Sequence, residues 1–314
     1  RLTDVTGVQT CALPICTLSL LMISSYIACS QPGDSGSVKL MFYNVENLFD
    51  TYDDPATDDD EFLPGGVRRW NQKRYRSRIN SLYKVITAAG HWSPPDIIAF
   101  CEIENRKVLE DLVYDTNLSK YNYEIIHSDS PDPRGIDICL IYRKESVRIL
   151  SWRYLIPDNL TDKPFESRSV LQLKCLIGYD TVNLFVNHWP SRRGGVLAGE
   201  PLRKEIAGML RGKAESIAIS QKSRKIIMTG DFNATPGDDV VKTLSDPYVS
   251  GLKMINLSGK NEKGTGTYRY RGTWEVIDQF IVSDSLIDSE AGIYTSEELM
   301  RIFRPDFLLR KDPV

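Results

Sequence analysis

KIIMTGDFNATP, residues 225–236, carries the apolar run Ile226–Met228 and, just after it, Gly230, Asp231 and Asn233. Apolar and β-branched residues at consecutive positions read as a strand with both faces buried. The polar residues after it then stand at the carboxyl end of that strand, where layered α/β folds expose their functional groups. A single carboxylate in that position is commonplace, so the weight falls on whether other strands end in the same way. They do. Asn44 and Glu46 follow KLMFY, Glu102 and Glu104 follow DIIAFC, Asn187 and His188 follow VNLFV, and Asp278 falls within EVIDQF.

ICLIYR (138–143) and VLQLKCLIGYD (170–180) add two more strand-like runs. Between the strands, Trp70–Ala89 sets Tyr75, Ile79, Leu82 and Ile86 on one helical face, and Asn105–Leu118 and Leu202–Ser220 read as further helices. No repeat of solenoid length occurs and no Pro/Ser linker follows Ser37, so residues 38–314 are expected to form one α/β domain.

The composition, 41% hydrophobic and 26% charged, is that of an ordinary globular protein. A formal charge of −3 gives no global attraction to nucleic acid or anionic lipid, so phosphate binding requires a local patch or a bound cation. Cys101, Cys139 and Cys175 lie in apolar runs and read as small buried hydrophobes; without a CxxC or His/Cys cluster, zinc is not expected. The acidic stretch Asp53–Glu61 lacks the spacing of an EF-hand and reads as a solvated loop. The basic run Arg68–Arg78 reads as the solvated face of a helix, and His91 and His127, with no motif around them, as ordinary surface or loop histidines.

The N-terminal residues stand apart. Residues 1–15 contain VTGVQTCALPI, which resembles a translated sequencing adapter and is expected to be foreign to the fold. Residues 16–29 have the length of a signal-peptide apolar core and end in Ile-Ala-Cys, close to a bacterial lipobox, with Cys29 as the lipid-anchor candidate. Residues 30–37 then form a short tether.

Asn, Glu, Asp and one His at five strand ends are hard oxygen donors plus an imidazole, which suits Mg²⁺ or Mn²⁺. NVENLFD, PDIIAFCEIEN, NHWPSRRGG, TGDFNATP and VIDQFIVS, in this order, resemble the endonuclease/exonuclease/phosphatase superfamily. SPDPRGIDICLIYR (130–143) resembles a further segment of its bacterial nuclease-like members, and the likeness covers nearly all of 38–283. The resemblance implies a four-layer α/β sandwich, two packed mixed or mainly antiparallel sheets flanked by helices. It implies Glu102 as the main metal-binding carboxylate, in a Cys-Glu pair where the family has Gln-Glu, with Asn44 lending an amide oxygen. Asp231 would orient or deprotonate the attacking water, Asn233 would hold that water or the phosphate, and His188 would donate to a non-bridging oxygen. Asp278 would orient a second histidine. Arg134 and Arg192 read as phosphate clamps or as solvated arginines, and Asp137 as a site residue or a strand cap. Glu46 and Glu104 share the faces of stronger candidates and read as supporting residues.

The family closes with a Ser-Asp-His segment, whereas no histidine follows His188 here, and the expectation is that this segment lies beyond Val314. The leading functional expectation is an exported, monomeric, metal-dependent phosphodiesterase acting on nucleic acid, as a periplasmic or outer-membrane lipoprotein. A phospholipid or sphingomyelin diesterase, a phosphomonoesterase, and a catalytically dead polyanion-binding module remain alternatives.

Overall fold

Side chains alternate across a strand, so a strand that is apolar at every position must be covered on both faces. The computed structural model, which describes residues 24–29, 37–91, 93–157, 165–192, 199–259, 265–270, 272–288, 290 and 292–308, meets that requirement with four layers. In chain order the strands are β1 (Ser24–Cys29), β2 (Val38–Leu48), β3 (Ile97–Ile103), β4 (Tyr123–Ile126), β5 (Asp137–Arg143), β6 (Val147–Leu155) and β7 (Val170–Ile177). They continue as β8 (Asp180–His188), β9 (Lys225–Asp231), β10 (Met254–Asn256), β11 (Tyr268–Tyr270), β12 (Thr273–Glu275), β13 (Asp278–Ser283) and β14 (Met300–Phe303). The helices are α1 (Gln72–Ala89), α2 (Arg106–Tyr114), α3 (Glu200–Ser220) and the short α4 (Asp239–Lys242).

One sheet runs β14-β1-β2-β3-β5-β4 and the other β10-β13-β9-β8-β7-β6. Each holds one parallel pair near its centre, β2 with β3 and β8 with β9; the other described pairings in these sheets are antiparallel. Parallel neighbours need a crossover, and α1 and α3 lie within the two crossovers. Met41, Tyr43, Val45 and Phe100 pack outward under Tyr75, Ile79, Leu82 and Ile86, so the periodicity expected of the first helix is the face it buries. Leu40, Phe42 and Ala99 point the other way, against Leu173, Leu184, Val186 and Phe280 of the opposing sheet. Phe185 and Met228 face Ile206, Leu210 and Ala214 of α3. The expected α/β sandwich is therefore observed, and Cys101, Cys139 and Cys175 are buried and outside any disulfide among the described residues.

Two boundaries differ from expectation. α1 starts at Gln72 rather than Trp70 because the Asn71 side chain accepts from the Arg74 N–H and caps the helix there. The expected helix Asn105–Leu118 breaks after Tyr114, and a 3₁₀ segment, Asn117–Tyr121, is capped by Thr116. β1, which falls within the run read as a signal-peptide core, pairs antiparallel with both β2 and β14. Residues 1–23 and 30–36, which include the adapter-like stretch, most of the apolar run and the tether, lie outside the described residues.

In the second sheet the register sets Asn187 opposite Gly230 and His188 opposite Asp231. Gly230 has φ +143°, and a Cβ there would lie 2.0 Å from the Asn187 carbonyl oxygen. The strand that ends in Asp231 can thus approach the strand that ends in His188 only through a glycine. Gly230→Ala is expected to lower unfolding free energy by about 2 kcal/mol or more, measured by urea denaturation; an unchanged midpoint would show that the strands can part without cost.

Candidate functional site

Two central parallel pairs, one per sheet, bring the carboxyl ends of β2, β3, β8 and β9 to the same end of the sandwich. β13 runs antiparallel to β9, and its first residue, Asp278, pairs in register with Asp231. Asn44 Nδ2 donates to Glu102 Oε1 (3.2 Å) and to Asp231 Oδ2 (3.1 Å), joining the two sheets across the site. His188 Nε2 lies 3.7 Å from Glu102 Oε1 and 3.9 Å from Asp231 Oδ2. Backbone N–H groups hold the outer oxygens: Asn47 donates to Glu102 Oε2 (2.9 Å) and Asn233 to Asp231 Oδ1 (2.8 Å).

The backbone departs from regular strand where these side chains leave it. The β2–β3 and β3–β5 registers both shift at this end, the second between Cys101 and Ile103 around Glu102, and such bulges re-aim a side chain. Of the seven non-glycine residues with positive φ among the described residues, Glu46, Asn47, Glu102 and Asn233 stand here. Left-handed backbone in non-glycine residues is unfavourable and persists where surrounding contacts over-determine it.

His188 is held by an arginine. Buried Arg168 donates from Nε to His188 Nδ1 (3.2 Å), from one terminal nitrogen to the Trp189 carbonyl (2.7 Å) and from the other to Asp132 Oδ2 (3.0 Å). A nitrogen that accepts from a guanidinium carries no proton, so the neutral ring bears its hydrogen on Nε2, facing Glu102 and Asp231. Burial, joined by the charges of Arg168 and Arg134, holds the His188 pKa well below its ordinary value. The imidazole is a neutral donor of fixed tautomer. Asp132 also takes both Nε (3.0 Å) and a terminal nitrogen (2.9 Å) of Arg134. Burial alone would raise the Asp132 carboxyl, but Arg134 and Arg168 together hold it below the usual range.

The carboxylates show the opposite balance. Burial, assisted by the charge of Glu102, pushes Asp231 up to about 7 against the hydrogen bonds from Asn233 and Asn44. Burial and the neighbouring Asp231 raise Asp278 well above a normal carboxyl against a smaller pull from the Thr267 side chain, and among the described residues neither of its oxygens has a close hydrogen-bond partner. An orphaned buried carboxyl beside Asp231 and Glu102 makes an all-oxygen acidic set next to one neutral imidazole. That chemistry fits a hard divalent cation such as Mg²⁺ or Mn²⁺.

A family model described as "Endonuclease/Exonuclease/phosphatase family" matches residues 39–313. The chain belongs to that family. Members hydrolyse phosphate esters and are typically dependent on divalent metal. Among solved structures, an endonuclease/exonuclease/phosphatase family protein from Bacteroides thetaiotaomicron is 16% identical, with a TM-score of 0.52 over 84% of this chain and 83% of that one. A humanized D. rerio TDP2 is 15% identical, with a TM-score of 0.52 over 78% and 82%. The B. thetaiotaomicron mannosyl-6-phosphatase Bt3783 is 17% identical, with a TM-score of 0.50 over 66% and 78%. These likenesses are of fold. Among curated proteins none matches this sequence significantly.

On this endonuclease/exonuclease/phosphatase scaffold the expected Asn44, Glu102, His188, Asp231, Asn233 and Asp278 come together at one end. Asn44 Oδ1 accepts from the Glu46 N–H (2.9 Å), and its amide nitrogen meets the two carboxylates. Asp278 stands beside Asp231, within reach of the charge of Glu102, and no imidazole meets it among the described residues. Arg192 is no free phosphate clamp: it donates to the Asn233 carbonyl (2.8 Å) and pairs with Glu275 and Asp238 (both 3.1 Å), pinning the loop after β9. Asp137 is buried against His127 Nε2 (3.0 Å) and the Ser130 N–H (2.7 Å), so it supports its loop, and His127 is a buried partner rather than a surface histidine. Glu104 accepts from the Asp50 N–H and belongs to loop support as well. Arg134 keeps about a third of its side chain exposed while paired with Asp132. Sequence reasoning missed Arg168 altogether, and the Arg68–Arg78 run is tied into the protein, with Arg78 donating to the Val45 and Glu46 carbonyls.

Two measurements test this electrostatic balance. Arg168→Gln removes a cation from the ring and should raise the His188 pKa, though not to the ordinary 6.5, because burial, the larger cause, is unchanged; NMR titration of the ring protons reads the shift. Asp231 and Asp278 both have folded pKa values above their ordinary 3.8. The native state therefore keeps protons that the unfolded chain releases, and stability in EDTA should fall as pH rises from about 4 toward 7. Asp278→Asn should flatten that fall in a series of urea midpoints against pH.

Proposed function

We propose that this protein hydrolyses phosphodiesters, nucleic acid strands foremost, using a divalent cation of the Mg²⁺ or Mn²⁺ class. The observation that carries the reading is the neutral Nε2–H of His188 aimed into a cluster of hard carboxylate oxygens. That pairing places a fixed hydrogen-bond donor where negative charge would build on phosphate, beside groups that would hold a cation. Glu102 would be the principal ligand, with the Asp278 carboxyl close by, and the bound cation would polarise a phosphoryl oxygen. Asp231, made more basic by burial and by Glu102, is suited to take the proton of the attacking water. Asn233 fixes the other Asp231 oxygen through its backbone. The guanidinium of Arg134, half-buried and paired with Asp132, would have to turn from that carboxylate to meet a phosphate of the strand.

Export, with a lipid anchor at Cys29, and a monomeric state are part of the proposal; the first two rest on the apolar run and Ile-Ala-Cys. Cleavage before Cys29 would remove residues 24–28 of β1 and leave β2 and β14 without their shared neighbour.

Plasmid DNA and bis(4-nitrophenyl) phosphate should be cleaved with Mg²⁺ or Mn²⁺ and not with EDTA. 4-Nitrophenyl phosphate and sphingomyelin vesicles, assayed in parallel, test the monoester and lipid alternatives. His188→Ala should lower kcat on the diester by about 10²–10³-fold with an unchanged far-UV spectrum. Turnover within a few-fold of the parent would sink the assignment of His188, and preferred hydrolysis of the monoester would sink the diester reading.

A further inference from the structure

The acidic stretch Asp53–Glu61 does not behave as a simple solvated loop. Asp53, Asp59 and Asp60 each bring a carboxylate oxygen within 4.8 Å of the others. Asp53 and Asp60 are exposed, but Asp59 is only 1% accessible. Its Oδ2 accepts from the Asp54 N–H (3.0 Å), while its Oδ1 is buried without a hydrogen-bond partner among the described residues. The nearby Arg68 pairs with Glu61 (2.8 Å), and among the described residues none of the three aspartates is in an ion pair. A buried carboxylate oxygen with neither donor nor counter-charge is costly unless something else supplies one. Burial, with the charges of Asp53 and Asp54 adding to it, also raises the Asp59 carboxyl above its ordinary value.

We infer that Asp53, Asp59 and Asp60 form a second divalent-cation site of the calcium class, separate from the reaction centre. Three carboxylates, two of them on the open side of a loop, leave room for water ligands and for the variable coordination that Ca²⁺ accepts. Mg²⁺ demands a tighter octahedron and keeps most of its own water.

The placement of the loop gives this site a task. The Asp58 N–H donates to the Pro133 carbonyl (2.8 Å). Thr57 packs against Gly135, which has φ +64° and where a Cβ would come within 2.8 Å of the Thr57 methyl. The loop is thus fitted onto the segment that carries Asp132 and Arg134. A cation that closes the loop secures the carboxylate on which Arg168 leans, and through Arg168 the setting of His188.

The test uses the full chain, stripped with EDTA, in a Glu102→Gln background that weakens binding at the reaction centre. Titration with CaCl₂ is followed by calorimetry and by the thermal midpoint. Glu102→Gln alone is expected to bind Ca²⁺ and to gain in Tm. Adding Asp59→Asn should weaken Ca²⁺ binding by about tenfold or more and remove the Tm gain, since ligand charge sets affinity in such sites. The exposed pair Asp53→Asn with Asp60→Asn, which leaves the buried position intact, should do the same while leaving Tm in EDTA unchanged. The inference is overturned if Glu102→Gln shows neither heat nor Tm gain with CaCl₂, or if both persist in the Asp53→Asn, Asp60→Asn variant. Because the readouts are binding and stability, they stand whether or not the protein turns out to cleave diesters.

Discussion

Glu102 and Asp231 project from different sheets, carry like charges, and are held side by side by one amide. Asn44 reaches both with its two N–H groups while its oxygen is occupied by the Glu46 backbone. Like charges brought together in a partly dry site repel strongly, and that amide is the direct bridge that offsets the repulsion across the two sheets. The remaining features of the site follow from it. The Asn47 and Asn233 N–H groups solvate the outer oxygens, Asp231 retains its proton to unusually high pH, and the imidazole opposite is neutral, adding a donor without adding a compensating charge.

Holding the carboxylates in place costs backbone strain, and the strain is local. Left-handed Glu46, Asn47, Glu102 and Asn233 gather where strands end and side chains must turn inward. Directly beneath them, regular pairing resumes and the apolar layers close: Trp189 packs edge-on against Phe232 with ring centroids 4.8 Å apart. A rigid, densely packed base allows such a rim to keep conformations that a free chain would relax.

Much of this was legible in the sequence, because it depends on local facts. Apolar runs gave the strands, helical spacing gave the buried face of α1, and polar residues directly after the runs gave Asn44, Glu102, His188, Asp231 and Asn233. What escaped was pairing across the fold. Arg168 precedes a strand with nothing in its neighbourhood to mark it, and its meaning comes wholly from His188 and Asp132, 20 and 36 residues away. Arg192 was visible as a cation, but the sequence cannot show that Glu275 and Asp238 already claim it. His127 was set aside for want of a motif, since its contact with Asp137 forms only when β4 and β5 pair. The orientation of the Asn44 amide is decided by one backbone N–H, which no composition reveals.

Asp132 is shared. One face receives the whole fork of Arg134, and one of its oxygens also receives Arg168. The two guanidiniums therefore compete for one anion, and Arg134 is the one with access to solvent. Losing that one carboxylate would loosen the exposed guanidinium and the buried one together, so the rim of the site and the setting of His188 hang on a single shared side chain.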